Sequence, residues 1–404
     1  FLLNYFENVV PEILTVKDSE NQIDIDLQVI EKETGRANFS MGYNEVQGLT
    51  GGGGFEFINF MGKGQMLSVN YSRGLQNQMQ GQSISSSNNA DYQSFSFSFR
   101  EPRIFDTGNS IGFSYSHSEQ GRGSSNLLQY DTESDRISVL FGRRFNWPDH
   151  YFRGSWSFTM RNTKYIGELS SLQDDFDESI IVEESSNQGH ASRTGVSLTQ
   201  TITRDSRNHP EFPTSGSSLN WTSTFSGSFL GGDEDYYKNE FSFRWYNQII
   251  EKFVLHQNLK FGVLNTFEVN SGRSIVPPSA KFLMGGTGIP SGEMLRGYSE
   301  NMIGPLGASF PKGGNVMLKY SLELRYLISQ NPNLYILAFA DLGNVWDNIN
   351  IVDPFSLRRS AGIGARVIMP MLGMIGYDIA YGFDPSVQEY LSGNNSAHGW
   401  EYHF

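Results

Sequence analysis

Cysteine is absent from the 404 residues, which removes disulfides and thiolate metal centres from consideration. Long apolar runs are absent too. The longest clean one, Leu334 to Ala340, falls far short of the roughly 20 residues a membrane-crossing helix requires. Positive charge is scarce. Lys and Arg number 30 against 43 Asp and Glu, and the net charge of −13 argues against a nucleic-acid-binding surface. The seven histidines (His117, His150, His190, His209, His256, His398 and His403) show no metal-ligand spacing, so no metal site is expected. No Gly-x-Ser-x-Gly elbow occurs, and Gly286 to Gly292 lacks the lysine of a phosphate loop. No catalytic residue and no cofactor is assigned, and an enzyme is the least favoured class.

What is present is alternation. Mean hydropathy is −0.39, a value that suggests a soluble chain. Strands with one apolar and one polar face also average to neutral, however. Aromatic residues make up 14% of the chain, which fits girdles at a membrane interface. Phe95, Phe97 and Phe99 alternate with serines. Val316, Leu318, Tyr320, Leu322, Leu324 and Tyr326 alternate with Met317, Lys319, Ser321, Glu323 and Arg325. The chain closes with Gly399-Trp400-Glu401-Tyr402-His403-Phe404, placing Trp400, Tyr402 and Phe404 on one face. That face would be a liability at a soluble sheet edge; in a barrel wall it meets lipid. Helical periodicity is read nowhere. Short turns such as 60–64 and 330–333 alternate with long polar loops such as 167–189 and 383–397.

The expected fold class is all-β: a transmembrane antiparallel β-barrel of about sixteen strands over residues 36–404. Residues 1–35 carry two strand-like runs, Val9 to Val16 and Gln22 to Ile30, around the turn 18–21. They are too small to fold alone and read as the end of a soluble α/β module. Phe1 to Phe6 lacks the marks of a signal peptide, so a processed or truncated piece of an exported protein is expected. The cluster Asp174, Asp175, Asp177, Glu178, Glu183 and Glu184 reads as a solvated loop rather than a cation site. Gly51 to Gly54 reads as a flexible loop or a loosened strand corner.

The largest irregular segment, about 270–313, exceeds ordinary hairpin loops and is expected to be functional. Its glycines suggest a chain folded back into the lumen. It contains Leu295-Arg296-Gly297-Tyr298. By alternation Asp341 points into the lumen with Phe339 and Gly343, while Leu334, Ile336, Ala338, Ala340 and Leu342 face lipid. Glu323, Arg325, Arg366 and Asp378 also fall on inward positions. An inward loop would bring Arg296 to Asp341, where a guanidinium–carboxylate fork is charge-assisted and geometrically specific.

Four segments resemble motifs of the BamA family, the POTRA-bearing outer-membrane proteins that insert or secrete other proteins. They are the Leu295–Tyr298 loop, Asn59 to Gln65 as a first periplasmic turn, Asp205 to Asn208 with Pro213 to Gly216 as a mid-barrel turn, and Phe339-Ala340-Asp341-Leu342-Gly343 as a late strand. The resemblance covers the whole chain and identifies 1–35 with the end of the last POTRA domain. It implies folding and insertion of β-barrel clients into the outer membrane of a Gram-negative bacterium. It further implies a seam between the first strand (Phe39, Met41, Tyr43) and the last, and a C-terminal insertion signal at Trp400, Tyr402 and Phe404. Arg296 is expected to pin the loop to Asp341, with Glu323, inward by alternation, as a further lumen partner. The implied partners are unfolded clients, periplasmic lipoproteins, outer-membrane lipid and lipopolysaccharide. Alternatives within the family are an autotransporter translocation and assembly factor or a two-partner secretion pore. A passive porin is less favoured, because of the glycine-rich loop.

Overall fold

The computed structural model describes residues 6–15, 23–31, 34–44, 48–75, 92–121, 130–176, 180–185, 187–209, 212–267, 276–288, 292–305, 312–330, 333–369, 373–391, 393 and 396–403. Strands β1 (Phe6–Thr15) and β2 (Ile23–Glu31) form a separate antiparallel pair. The turn expected at 18–21 lies outside the described residues.

The remaining strands form one antiparallel sheet. In its N-terminal half are β3 (Gly35–Asn44), β4 (Gly48–Phe60), β5 (Gln65–Leu75), β6 (Tyr92–Glu101), β7 (Asn109–Gln120), β8 (Asp131–Arg144) and β9 (Phe152–Glu168). Then follow β10 (Ile181–Ser185), β11 (Gln188–Asp205), β12 (Gly216–Ser226), β13 (Tyr236–Ile250), β14 (Phe253–Thr266), β15 (Val316–Gln330), β16 (Asn333–Trp346), β17 (Arg358–Met369), β18 (Gly373–Gly382) and β19 (Gly399–His403). Of these seventeen, β10 is a short ribbon on the upper part of β11, which itself continues the wall from β9 to β12. The wall therefore has sixteen strands. β19 is hydrogen-bonded to β3 and β9 to β11, so the sheet closes on itself. Closure removes the unpaired edges that a membrane cannot tolerate. Among the described residues no helix is long and apolar enough to cross a membrane.

Alternation sets the two faces. Phe113, Val139, Phe158, Leu324, Ile336 and Ile363 are exposed on the outer wall. Inside, the N-terminal half is lined by hydroxyls that pair across strands, such as Ser68 with Ser98 at 2.7 Å and Ser72 with Ser94 at 2.8 Å. The inner wall of β14–β18 is instead charged and covered by the long loop.

Three local expectations are corrected. Gly51 to Gly54 lie within β4, paired with Met41 to Asn38. Ladders to β3 and β5 hold them extended, and the close neighbours require glycine: a Cβ on Gly54 would sit 2.7 Å from the Val69 carbonyl, and one on Gly53 3.3 Å from the Phe39 ring. The 167–189 segment is not plain loop. It holds helix α1 (Leu169–Asp175) and β10, and Leu172 and Phe176 bury against Tyr130, Tyr165 and Ala191. A second short helix, α2 (Val387–Leu391), interrupts the 383–397 loop. Both helices are too short for helical periodicity to register in the sequence.

Candidate functional site

The site is assembled where the chain between β14 and β15 enters the barrel. Isolated bridges (Phe282 to Gly314, Met284 to Ile303, Gly286 to Leu295) fold this loop on itself. Glu300 accepts hydrogen bonds from Thr287 and Gly288 amides, closing the turn. Ala280, Phe282, Met284, Leu295, Tyr298 and Ile303 of the loop bury with Leu264, Met317 and Val345 of the wall. The loop is thus an apolar plug with a polar tip, and its amphipathic packing follows from hydrophobic burial against the strands.

At the tip, Arg296 is fully buried. Its Nε donates to Asp341 Oδ2 at 2.8 Å and its Nη2 to Asp341 Oδ1 at 2.9 Å. Nη2 also lies 3.0 Å from Glu323 Oε1, and Nη1 3.9 Å from Asp378 Oδ2. The guanidinium carbon stands 3.5 Å over the Phe339 ring centroid. The Phe-x-Asp-x-Gly pattern of β16 now has a physical account. Residues two apart share the inward face: Phe339 supplies a π-surface, Asp341 the fork, and Gly343 the space. A Cβ on Gly343 would sit 2.6 Å from Met284 Sδ and 3.2 Å from Leu295 Cδ1.

The charges are balanced around this centre. Arg325 pairs with Glu323 at 2.6 Å, Arg366 pairs with Asp378, and His256 Nδ1 lies 3.1 Å from Glu323. Three guanidiniums therefore meet three carboxylates on β15–β18 and the loop tip, as buried charge demands. A second anchor lies higher in the loop. Lys260 and Lys319 stand directly opposite each other on β14 and β15, an arrangement that repels. Glu293 of the loop accepts from Lys260 at 2.6 Å and from Lys319 at 2.9 Å. Sequence alone does not reveal Glu293: alternation turns both lysines inward, but only the ladder register shows that they face each other.

The loop tip also grips the last strand. Gly297 N donates to His403 Nε2 at 2.9 Å, and Ser299 Oγ donates to Glu401 Oε1 at 2.9 Å. Tyr298 donates to the Arg359 carbonyl at 2.8 Å and stacks on His398, with ring centroids 5.4 Å apart. His398 in turn bridges Glu389 of α2 at 2.8 Å and Glu401 of β19 at 2.9 Å. These contacts matter because β19 pairs with β18 through only five residues, against ten between β17 and β18. Trp400 and Tyr402 are exposed on the outer face, as is Phe39 on β3. The side chains of Met41 and Tyr43, and Phe404, lie outside the described residues.

His398 carries a pH prediction. The hydrogen bond to Glu401 raises its pKa, burial opposes this, and Glu389 adds to the rise. A raised folded pKa stabilises fully below the unfolded value, about 6.5, and that contribution is lost as pH climbs through the folded value. The melting temperature is expected to fall as pH rises above about 6.5, and H398Q should flatten that slope. An identical slope in both proteins would contradict the bridge.

The mid-barrel turn is built by Asn208, whose Oδ1 accepts from Thr214 and Ser215 amides, with Arg207 paired to Asp205 at 2.7 Å. Asn59 plays the same part in the first turn, accepting from Gly64 at 2.6 Å. The Omp85 superfamily domain matches residues 59–390. The outer membrane protein assembly factor BamA of Nitratidesulfovibrio vulgaris is 27% identical over 386 residues, covering 94% of this chain and 42% of that protein. This chain thus spans about two fifths of that relative's length. Among solved structures, BamA from Haemophilus ducreyi lacking POTRA domains 1–3 superposes with a TM-score of 0.73 at 23% identity, over 99% of this chain and 75% of that one. CdiB from Acinetobacter baumannii gives a TM-score of 0.57 at 14% identity, over 99% and 65%. With the family domain running from the first turn of the barrel to the loop before its last strand, the chain belongs to the Omp85 superfamily.

Proposed function

We propose that this chain is the barrel of an outer-membrane protein assembly factor, which folds and inserts β-barrel clients through the seam between β3 and β19. The observation that carries this reading is the weakness of β19's own ladder beside the strength of its side-chain ties to the loop. A strand held by five pairs and a set of polar contacts can release without unfolding the wall. The freed edge of β3 then offers unpaired N–H and C=O groups to an incoming strand, which adds by β-augmentation. Only hydrogen bonds are exchanged; the seam acts as a template that lowers a kinetic barrier.

The reading extends to the rest of the protein. Residues 1–35 are the end of the last POTRA domain. Its exposed Ile25, Leu27 and Val29 are the face that the rest of such a domain covers. Periplasmic lipoproteins bind that upstream region, unfolded barrel proteins are the clients, and outer-leaflet lipid and lipopolysaccharide surround the wall. Arg296, with Asp341 and Glu323, pins the loop, and Trp400, Tyr402 and Phe404 mark the strand by which this barrel is itself recognised.

These 404 residues contain no cysteine, so pairs introduced between positions of Gly35–Phe39 and Gly399–His403 meet no competing thiol within the barrel. A disulfide across the seam is expected to stop client assembly under oxidation, with recovery on reduction. Full activity with the seam covalently closed would remove the proposal.

A further inference from the structure

Outside the lumen, one side-chain cluster has no part in the function above. On the outer face of β7 and β8, at the end away from the short turns, stand Tyr115, His117, Glu119, Glu133 and Asp135. They lie above Ile111, Phe113, Ile137 and Val139, which are exposed on the wall below them. Across the ladder His117 faces Asp135 and Glu119 faces Glu133. His117 Nδ1 lies 3.0 Å from Asp135 Oδ1, which also accepts from the Tyr115 hydroxyl at 2.8 Å. That contact turns Nε2 toward the carboxylates, 3.2 Å from Glu119 Oε1. One ligand atom each from His117, Glu119 and Glu133 fall within 4.8 Å of one another.

Two features separate this group from a merely acidic surface. First, two carboxylates directly opposed on one face repel. At two like-charge oppositions in the lumen this barrel supplies a counter-charge: Glu293 for Lys260 and Lys319, and Glu234 for Arg161, which faces Arg136. Glu119 and Glu133 have no such partner among the described lysines and arginines. Gln93 gives Glu119 only a neutral amide, and Lys164, across from Glu133, reaches toward Glu184 at 3.8 Å. Second, a carboxylate on one imidazole nitrogen that leaves the other facing two acidic oxygens is the usual outer-shell arrangement of a metal-binding histidine. It fixes the tautomer and raises the basicity of the free nitrogen.

We propose that His117, Glu119 and Glu133 bind a divalent cation on the outer rim of the barrel, with Asp135 holding the imidazole in place. A set of one nitrogen and two carboxylates favours an ion of intermediate hardness, Zn²⁺ or Mn²⁺, over the all-oxygen shells of Ca²⁺ and Mg²⁺. The ion ties β7 to β8 at their exposed ends. Spacing along the sequence did not reveal the site, because strand periodicity supplies two ligands and the neighbouring strand the third.

The test is zinc content. The full-length protein, without a histidine tag and in detergent, is dialysed against a buffered free Zn²⁺ concentration, and bound metal is measured by elemental mass spectrometry. Folding of each protein is checked by heat-modifiable gel mobility. Wild type is expected to hold one more equivalent than H117A, E119Q and E133Q. D135N should keep the site but bind about 10- to 100-fold more weakly. Equal zinc in wild type and the three folded ligand variants would reduce the cluster to adventitious ion binding and overturn the proposal.

Discussion

Replacing Arg296 by Glu is expected to unseat the loop and abolish client assembly, the largest single-residue effect anticipated in this chain. Asp341 is fully buried and its two oxygens are taken by the Arg296 fork. Glu323 stands 3.0 Å from the same guanidinium, with Asp378 close behind. Removing the cation leaves these carboxylates underneutralised, and a glutamate there adds a further negative charge. Breaking a buried pair costs about 3–5 kcal/mol, which is expected to displace the tip even though Glu293 and the apolar plug hold the loop elsewhere. R296K tests the geometry separately from the charge. Lysine restores the cation but not the planar fork or the stacking on Phe339, so an intermediate loss is expected. The decisive variant is the exchange, R296D with D341R. It should recover much of what R296D and D341R each lose, measured as growth complementation and as melting temperature. An exchange no better than the worse single variant would sink the pairing.

The second large effect is expected at Gly297. Its φ is +84°, and a Cβ there would lie 2.9 Å from Ser360 Cβ and 3.2 Å from Gly382 N. G297A therefore meets two penalties. Left-handed backbone strain costs about 1–3 kcal/mol, and overpacking against a backbone that cannot yield costs about 1–3 kcal/mol more. The Gly297 amide also holds His403 of β19, so displacing the tip loosens the seam strand. External protease should then cleave the loop in G297A faster than in wild type. Gly393 is the natural control. Its φ is +85°, with nothing within 4 Å of the added Cβ, so G393A carries the strain without the collision. Equal protease sensitivity in both variants would show that the close approach at Gly297 does not matter.

The wall was legible in the sequence because a membrane barrel imposes one rule on every strand, apolar out and polar in, and the rule repeats at period two. The same rule placed Glu323, Asp341 and Asp378 inward, so their meeting with Arg296 could be expected once the loop was read as folded back. Features that depend on register were not legible. Glu293 between Lys260 and Lys319, and His117 beside Glu133 and Asp135, require knowing which residues face each other across a ladder, and hydrophobic alternation fixes the face but not the partner. Gly51 to Gly54 misled for a related reason. Their extended conformation is held by the ladders to β3 and β5, and glycine's own preference says little about it. Helices α1 and α2 escaped because one or two turns contain too few residues for periodicity, and tertiary burial of Leu172 and Phe176 makes the local decision.

The central claim, that the seam of this barrel assembles other barrels, is tested most directly by depleting the full-length protein in its own cell and quantifying the outer-membrane proteome. Parallel loss of many unrelated barrel proteins, with growth arrest, is the predicted result. Loss of a single exported protein or one protein family, in cells that keep growing, would contradict it and assign the chain to a dedicated secretion or translocation role.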